Sequence, residues 1–491
     1  MGAQTETIEQ PSSSTGNESK TSFVMLSPAD KVKRYYQANF YLNEGLIRTG
    51  KINPTKVKRS AWMPAFLEAF GNPQRGIPAI HIAGTSGKGT TGIMIAEILR
   101  AAGVRTGLHI SPYLQVATEK IWVDGFYYDP LDYYELIEDL KPTIERFRRH
   151  DIPLHGMSSV VLAIEAFRRE KVEFMIFETG VGGRFDITNF LDTTLAVITK
   201  IGFDHQKTLG HTIGEIAFHK AGIMKEKTPC IAFAGPGIRQ IVKEAGLRKA
   251  PLKLVKEDKT FRSLRIQADG SVFHFRGDNW ALDNVHTPAR GPYQVENAAL
   301  ALCVAEHMSR QGLHIDETAV RLGLARGTLP GRIEVLSRSP LIIIDGAHNS
   351  DKIDNLVQYL SQLKVKNKLV LCGVLAKKIK RKLITRLIRL SSHIITTEPR
   401  VYAKEPFPAD KLARLFRQRG VRLVRAIPEP LAALEYAISL LKDDDVLIIT
   451  GSLYLAGNIR NHWYPEADVL LQRTSYPRIR TELTPEEQSL S

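Results

Sequence analysis

The sequence predicts an α/β protein in two units: a mostly parallel sheet domain over residues 28–330 and a Rossmann-like α/β domain over residues 331–472. Two observations carry this. From Ala79 onward, apolar runs of strand length alternate with helix-length amphipathic segments, the pattern of parallel strands joined by crossover helices. The alternation restarts after a break rich in Gly and Pro, GTLPGR at Gly327 to Arg332, and 491 residues exceed what one core usually supports.

In chain order, AIHIAG (Ala79 to Gly84) is a strand that runs into a Gly-rich stretch, and TTGIMIAEILRAAG follows as a helix closed by Gly103. FMIFETG (Phe174 to Gly180) and LAVITKIG (Leu195 to Gly202) are further buried strands. HTIGEIAFHKAGIM is a helix leading to the strand PCIAFAG. In the second unit LIIIDGAH, KLVLCGV, HIITTEP, RLVRAIP and DVLIITG are strands. SDKIDNLVQYLSQL, KRKLITRLIRL, PADKLARLFRQRG and EPLAALEYAISLL are the helices between them. This unit lacks GxGxxG, so its Rossmann-like order does not imply dinucleotide binding. Residues 1–27 and 473–491, poor in groups that bury, read as a disordered leader and a flexible tail.

Bulk properties exclude several function classes. No apolar run reaches the ~18 residues of a membrane span, and the N-terminus lacks a signal peptide's basic start and apolar middle. Cys230, Cys303 and Cys372 sit in apolar stretches without ligand-like spacing, which suits structural thiols in the reducing cytoplasm. The net charge of +15 favours anionic partners. The most basic segment, Lys377 to Leu390, carries Ile379, Leu383, Ile384, Leu387 and Leu390 at helical spacing and no interleaved aromatics. It reads as a solvated helix face, and nucleic acid is not an expected partner.

The motif with most chemistry is AGTSGKGTT, Ala83 to Thr91. A strand, a loop with Gly87, Lys88, Gly89 and Thr90, and then a helix would surround a phosphate with backbone N–H groups and a helix N-terminus. This makes the N-terminal unit P-loop ATPase-type. Lys88 would counter the β- and γ-phosphate charge, and the Thr90 hydroxyl would ligate Mg²⁺. The usual G-x-x-x-x-G-K-[ST] spacing is not met, because Ile82 holds the place of its first Gly and Gly89 separates Lys from Thr.

HIAGTSGKGTT resembles the H-V-A-G-T-N-G-K-G-S loop of the folylpolyglutamate and dihydrofolate synthase family, within the Mur ligase superfamily. Further similar motifs follow in the same order: SPYLQVATEKI (Ser111 to Ile121), FETGVGGRFDITN (Phe177 to Asn189) and the run from ITKIGFDH to KAGIMK. QVENAALAL, LPGRIEVL, IIIDGAHNS, CGVLAKK and GSLYLAGNIR complete the series. The resemblance implies an ATP-dependent ligase that adds L-glutamate to a folate-type carboxylate through an acyl phosphate, as a cytoplasmic monomer in folate and one-carbon metabolism. It assigns Gly84, Thr85, Ser86, Gly87, Lys88, Gly89 and Thr90 to the nucleotide's phosphates, and Thr90, Ser111, Glu178 and His205 to two Mg²⁺ sites. Lys220 matches a lysine that the family carries as a carbamate. Asn297 and Arg332 match contacts to adenine and phosphate, and Asp345 and His348 match groups at the ribose and the acyl-phosphate region. Lys88, Lys220 and His348 are thereby the implied catalytic residues.

Three departures stand beside these matches: Ser86 replaces the loop's Asn, Tyr113 replaces the His of S-P-H-L, and Leu154 to Met157, LHGM, replaces T-x-F-E. The last lies on the implied substrate side. A Mur-type ligase with another acceptor, or a non-catalytic ATP-binding protein, therefore stays open at this point. Read without the resemblance, Glu178 is equally a buried ion-pair partner and Lys220 an exposed helix lysine.

Overall fold

The computed structural model describes residues 26–46, 56–148, 150, 154–267, 269–402 and 404–478. The leader expected over residues 1–27 lies outside them except for its last two positions, and Ser27 caps the first helix by accepting from the Asp30 N–H. Among the described residues no helix is long and apolar enough to cross a membrane.

The fold class is as the alternation predicts. The N-terminal domain contains β1 (Ala79–Ala83), β2 (Thr106–His109), β3 (Ile121–Val123), β4 (Phe126–Tyr127), β5 (Phe174–Glu178), β6 (Thr193–Ile198), β7 (Cys230–Phe233) and β8 (Leu252–Val255). They form one sheet in the order β4-β3-β2-β5-β1-β6-β7-β8. From β2 to β8 every pairing is parallel, and β3 and β4 add an antiparallel edge. β1 lies at the centre and is buried along its whole length. The helix after it, Lys88–Ala101, is buried continuously from Thr90 to Leu99. The sheet covers one side, where Gly92 lies against Leu108 and Ile82, and the helix Glu317–Arg326 covers another, where Gly323 meets the Ile98 backbone. A helix apolar on all faces needs such cover on all faces.

A second sheet did not emerge from the sequence. β9 (Phe261–Gln267), β10 (Gly270–Arg276) and β11 (Ala281–Thr287) form an antiparallel meander. Its alternating Phe273, Phe275 and Val285 enter the N-terminal core against the helix Pro292–Arg310.

The C-terminal sheet comprises β12 (Glu334–Arg338), β13 (Leu341–Ile344), β14 (Lys368–Cys372), β15 (His393–Thr396), β16 (Leu423–Ala426) and β17 (Val446–Thr450), in the order β12-β13-β17-β14-β15-β16. Five strands are parallel, as the Rossmann-like reading requires, and β12 is an unanticipated antiparallel edge. The basic segment forms the helix Arg381–Ile388, with Leu383, Ile384 and Leu387 inward.

The tail read from Arg473 onward is corrected for its first residues. Tyr127 N–H donates to the Arg473 carbonyl at 2.8 Å, and Arg473 Nε returns a bond to the Tyr127 carbonyl at 2.7 Å. Arg460, almost fully buried, bonds the Ser475 carbonyl at 2.6 Å and lies under the Tyr476 ring. The cause is that buried guanidinium: it has several donors to satisfy, and the chain beyond the last helix supplies an acceptor. Residues 479–491 lie outside the described residues.

Candidate functional site

The carboxyl ends of the two large sheets face a common cleft of about 750 Å³ of empty space, where open α/β sheets place ligands. Its floor is the loop from Thr85 to Thr90. β1 leads straight into it, and Thr85 N–H donates to the Lys200 carbonyl beyond β6 at 2.9 Å. Thr199 Oγ1 donates to the Ser86 carbonyl at 2.7 Å. A side chain on Gly84 would run into that same Thr199 hydroxyl. Gly87 has φ +91°, and the space a Cβ would take is filled by the Asn297 amide, itself held by Gln294 at 2.8 Å. The additional glycine, Gly89, also has a geometric cause. A Cβ there would sit 3.2 Å from Glu178 Oε2 and 3.1 Å from Leu329, so glycine lets that carboxylate close in on the helix N-terminus.

Glu178, the last residue of β5, pairs through Oε1 with Lys88 Nζ at 3.3 Å, and its Oε2 accepts from Ser111 N–H at 3.3 Å. Lys88 Nζ also donates to the Gly84 carbonyl at 3.2 Å. Lys220 reaches the same carbonyl at 2.6 Å from the helix Ile213–Ala221 and is buried. The reading of Lys220 as an exposed helix lysine is thus overturned: its residue on the helix's inner face is drawn to the phosphate loop.

The opposite wall comes from the C-terminal domain. Asp345, just past β13, accepts from Ile333 N–H at 2.9 Å and Ala347 N–H at 2.8 Å. Burial raises its carboxyl above the ordinary range, against the opposing pull of Arg332. Arg332, Lys352 and Asn355 complete this wall, and Tyr293 from the N-terminal domain's helix Pro292–Arg310 adjoins it. Lys352 was not anticipated. The available signal was the helix start at Asn349, whose apolar positions Ile353 and Leu356 leave Lys352 on a neighbouring face.

Four expected site residues do not line the cleft: Gly84 and Lys220 lie directly behind the loop, joined by their hydrogen bond, and His205 and His348 lie at the domain seam. His205 takes a left-handed backbone, φ +49°, with its N–H bonded to Asp204 Oδ1 at 2.8 Å and its side chain 42% exposed. That turn carries it to the domain seam rather than to Glu178. Asp204 there also meets Lys378 Nζ at 3.3 Å and Asn349 Nδ2 at 3.4 Å. His348 lies at the same seam. Its Nδ1–H donates to the Gly346 carbonyl at 2.9 Å, and burial with the Lys352 and Lys378 charges holds it well below the ordinary range.

The expected cation ligands Thr90, Ser111 and Glu178 do share the cleft. Among the described residues no three His, Cys, Asp or Glu side chains cluster to form an all-protein metal cage. One carboxylate with hydroxyl oxygens beside a phosphate loop suits Mg²⁺, which keeps waters and takes its remaining ligands from phosphates.

A second cavity, of about 890 Å³ of empty space, adjoins the first through Ser111 and Glu178. Lys120, His109, His155 and Asp186 face it. Leu154 to Met157, the segment that departs from T-x-F-E, forms the first turn of the helix Leu154–Arg169 and brings His155 to this wall. Burial, then Lys120, lowers His155 to about 4, and burial, then Lys404, lowers Lys120 to about 8.

Comparison with known proteins follows the same division. Residues 82–305 match the Mur ligase middle domain, and residues 331–453 match the Mur ligase glutamate ligase domain. The chain is 32% identical over 406 residues to the dihydrofolate synthase/folylpolyglutamate synthase of Bacillus subtilis strain 168, covering 81% of this chain and 93% of that protein. With the folylpolyglutamate synthase of Lacticaseibacillus casei the identity is 31% over 407 residues, covering 80% and 92%. Among solved structures, Mycobacterium tuberculosis folylpolyglutamate synthase complexed with ADP superposes with a TM-score of 0.80 at 28% identity, over 89% of this chain and 99% of that one.

Proposed function

Because the chain belongs to the folylpolyglutamate synthase and dihydrofolate synthase family of Mur-type ligases, we propose that its cleft joins L-glutamate to a folate-type carboxylate with ATP. The acceptor carboxylate attacks the γ-phosphorus, ADP leaves, and an acyl phosphate forms. The glutamate amine then attacks the acyl carbon, loses a proton, and displaces phosphate to leave the amide.

The observation that carries the reading is Lys88, held between the Gly84 carbonyl and Glu178 on the floor of a cleft that continues past Ser111 into a second cavity. One cavity then receives the phosphates, and the other the acceptor whose carboxylate must reach them. Loop N–H groups and the helix N-terminus bind phosphate oxygens, and Lys88 follows the transferring group's charge. Thr90, Ser111 and Glu178 would hold Mg²⁺, which neutralises β- and γ-phosphate charge when bound. Lys220 is buried against the loop, and a carbamate on it would supply oxygen ligands for a second cation. His348, neutral and bonded through Nδ1, lies at the seam outside both cavities, so the part in taking the amine's proton that the resemblance implies for it requires the two domains to close on the substrate. Asn297 beside Gly87 supports its contact with the nucleotide. We place this activity in the cytoplasm, a reading supported by three buried free cysteines, and in a monomer, as the family resemblance implies.

Dihydropteroate and tetrahydrofolate, each supplied with ATP and radiolabelled glutamate, test the assignment. ADP and a labelled product with at least one acceptor are expected. No product with either would sink the folate reading.

A further inference from the structure

Lys352 stands where no described interaction accounts for it. The helix Ser350–Leu360 starts at Asn349, whose side-chain oxygen accepts from Lys352 N–H at 3.0 Å. That cap fixes the first turn. Ile353 and Leu356 then enter the C-terminal core, and Lys352 lines the cleft across from the phosphate loop.

Among the described residues, no carboxylate lies within ion-pair distance of the Lys352 ammonium. The nearby acids are engaged elsewhere. Glu178 is paired with Lys88, Asp204 with Lys378, and Asp345 with two backbone N–H groups. Lys88, Arg332 and Lys352 therefore present three cations to one cavity. Burying an ammonium without a partner is costly, and burial followed by the Arg332 and Lys88 charges lowers Lys352 to about 7. A chain of phosphates is the ligand that would relieve all three charges at once.

We propose that Lys352 is a phosphate-binding residue, the C-terminal domain's counterpart of Lys88, which grips the nucleotide from the side opposite the loop and draws the two domains onto it. This rests on the cleft being the nucleotide site. Binding should also take up a proton above about pH 7, because the phosphates favour the charged amine. The charged and titratable groups facing Lys352 are Arg332, Lys88, Asp204, Asp345 and His348.

Titration calorimetry of the full chain with ADP, at about pH 6.5 and about pH 8.5 in buffers of different ionisation enthalpy, tests this. Wild type is expected to take up a proton at the higher pH. Lys352→Met should weaken ADP by about tenfold or more at the lower pH, since it removes a charge-assisted contact. Lys352→Arg should keep the affinity and abolish the excess proton uptake, with ADP's own protonation common to every variant. Equal affinity and equal proton uptake in Lys352→Met, with an unchanged thermal melt, would overturn the proposal. Wild type that fails to bind ADP at either pH would overturn the nucleotide reading and this inference with it. A wild type that binds while Lys352→Met is unaffected removes only the inference.

Discussion

The two walls of the cleft are built differently. The N-terminal wall is backbone and short side chains: glycines packed against Thr199 and Asn297, a helix N-terminus, and Glu178 at a strand end. The C-terminal wall is long cations and one buried carboxylate, and its flank is a seam of charged groups around Asp204. A wall of backbone is organised before ligand arrives, whereas one of Lys and Arg side chains depends on how the domains close. The first wall should therefore govern chemistry and the second affinity.

Lys88→Ala puts that division under its strongest strain. The variant removes the N-terminal wall's cation that pairs with Glu178, and kcat for ADP release should fall by about 10³-fold. Steady-state rates with whichever acceptor supports turnover measure it. If Lys352→Met lowers kcat as far, the contrast between the walls is wrong.

The same contrast explains what could be read in the sequence. The N-terminal wall is contiguous: Ala83 to Thr91 spells strand, loop and helix in one run, and Glu178 ends an apolar run. Local chemistry dictates both. Lys352 was invisible because its meaning comes from Lys88 and Arg332, far away in the chain. His205 lies outside the cleft because its own left-handed backbone turns it toward Asp204, and nothing in GFDH announces that φ. Arg473–Arg478 looked like tail because the demand for an acceptor comes from Arg460. The small meander β9–β11 was missed because Arg262, Leu264 and Arg265 of β9 are all exposed, on both parities, so the strand carries no period-two alternation.

Arg460 also sharpens the comparison, since it ties the two domains together through its own buried bonds. Its Nε lies 3.0 Å from Glu334 Oε1, its Nη1 bonds Gln115 from the N-terminal domain, and its Nη2 bonds the Ser475 carbonyl. Arg460→Met leaves Glu334 buried without its counter-charge, and should cost about 3 kcal/mol of stability. Denaturant unfolding reads this directly. Adding Glu334→Gln should recover part of the loss. No recovery in the double variant would mean that the Gln115 and Ser475 bonds, rather than the ion pair, hold this end of the seam.

The smallest effect is a slope. His81, in the middle of β1, is fully buried, and its Nε2–H donates to Thr188 Oγ1 at 2.8 Å while that hydroxyl donates to Asp186 Oδ1 at 2.7 Å. Burial first, then the Lys225 charge, lowers its pKa to about 3. The unfolded chain binds a proton near pH ~6.5 and the folded chain does not, so stability is lost as pH falls from about 6.5 toward 3, by up to ~1.4 kcal/mol per unit. His81→Gln can still donate to Thr188 and cannot titrate. It should flatten the acid slope by about that amount, at some cost at neutral pH, in urea unfolding at about pH 7 and about pH 5. An unchanged slope would remove His81 from the account and leave His109, also lowered to about 3 by burial, as the acid-sensitive group. Asp186 in turn accepts from Val181 N–H at the edge of the second cavity. Acid should therefore loosen the N-terminal wall from behind, through the strand that positions the loop.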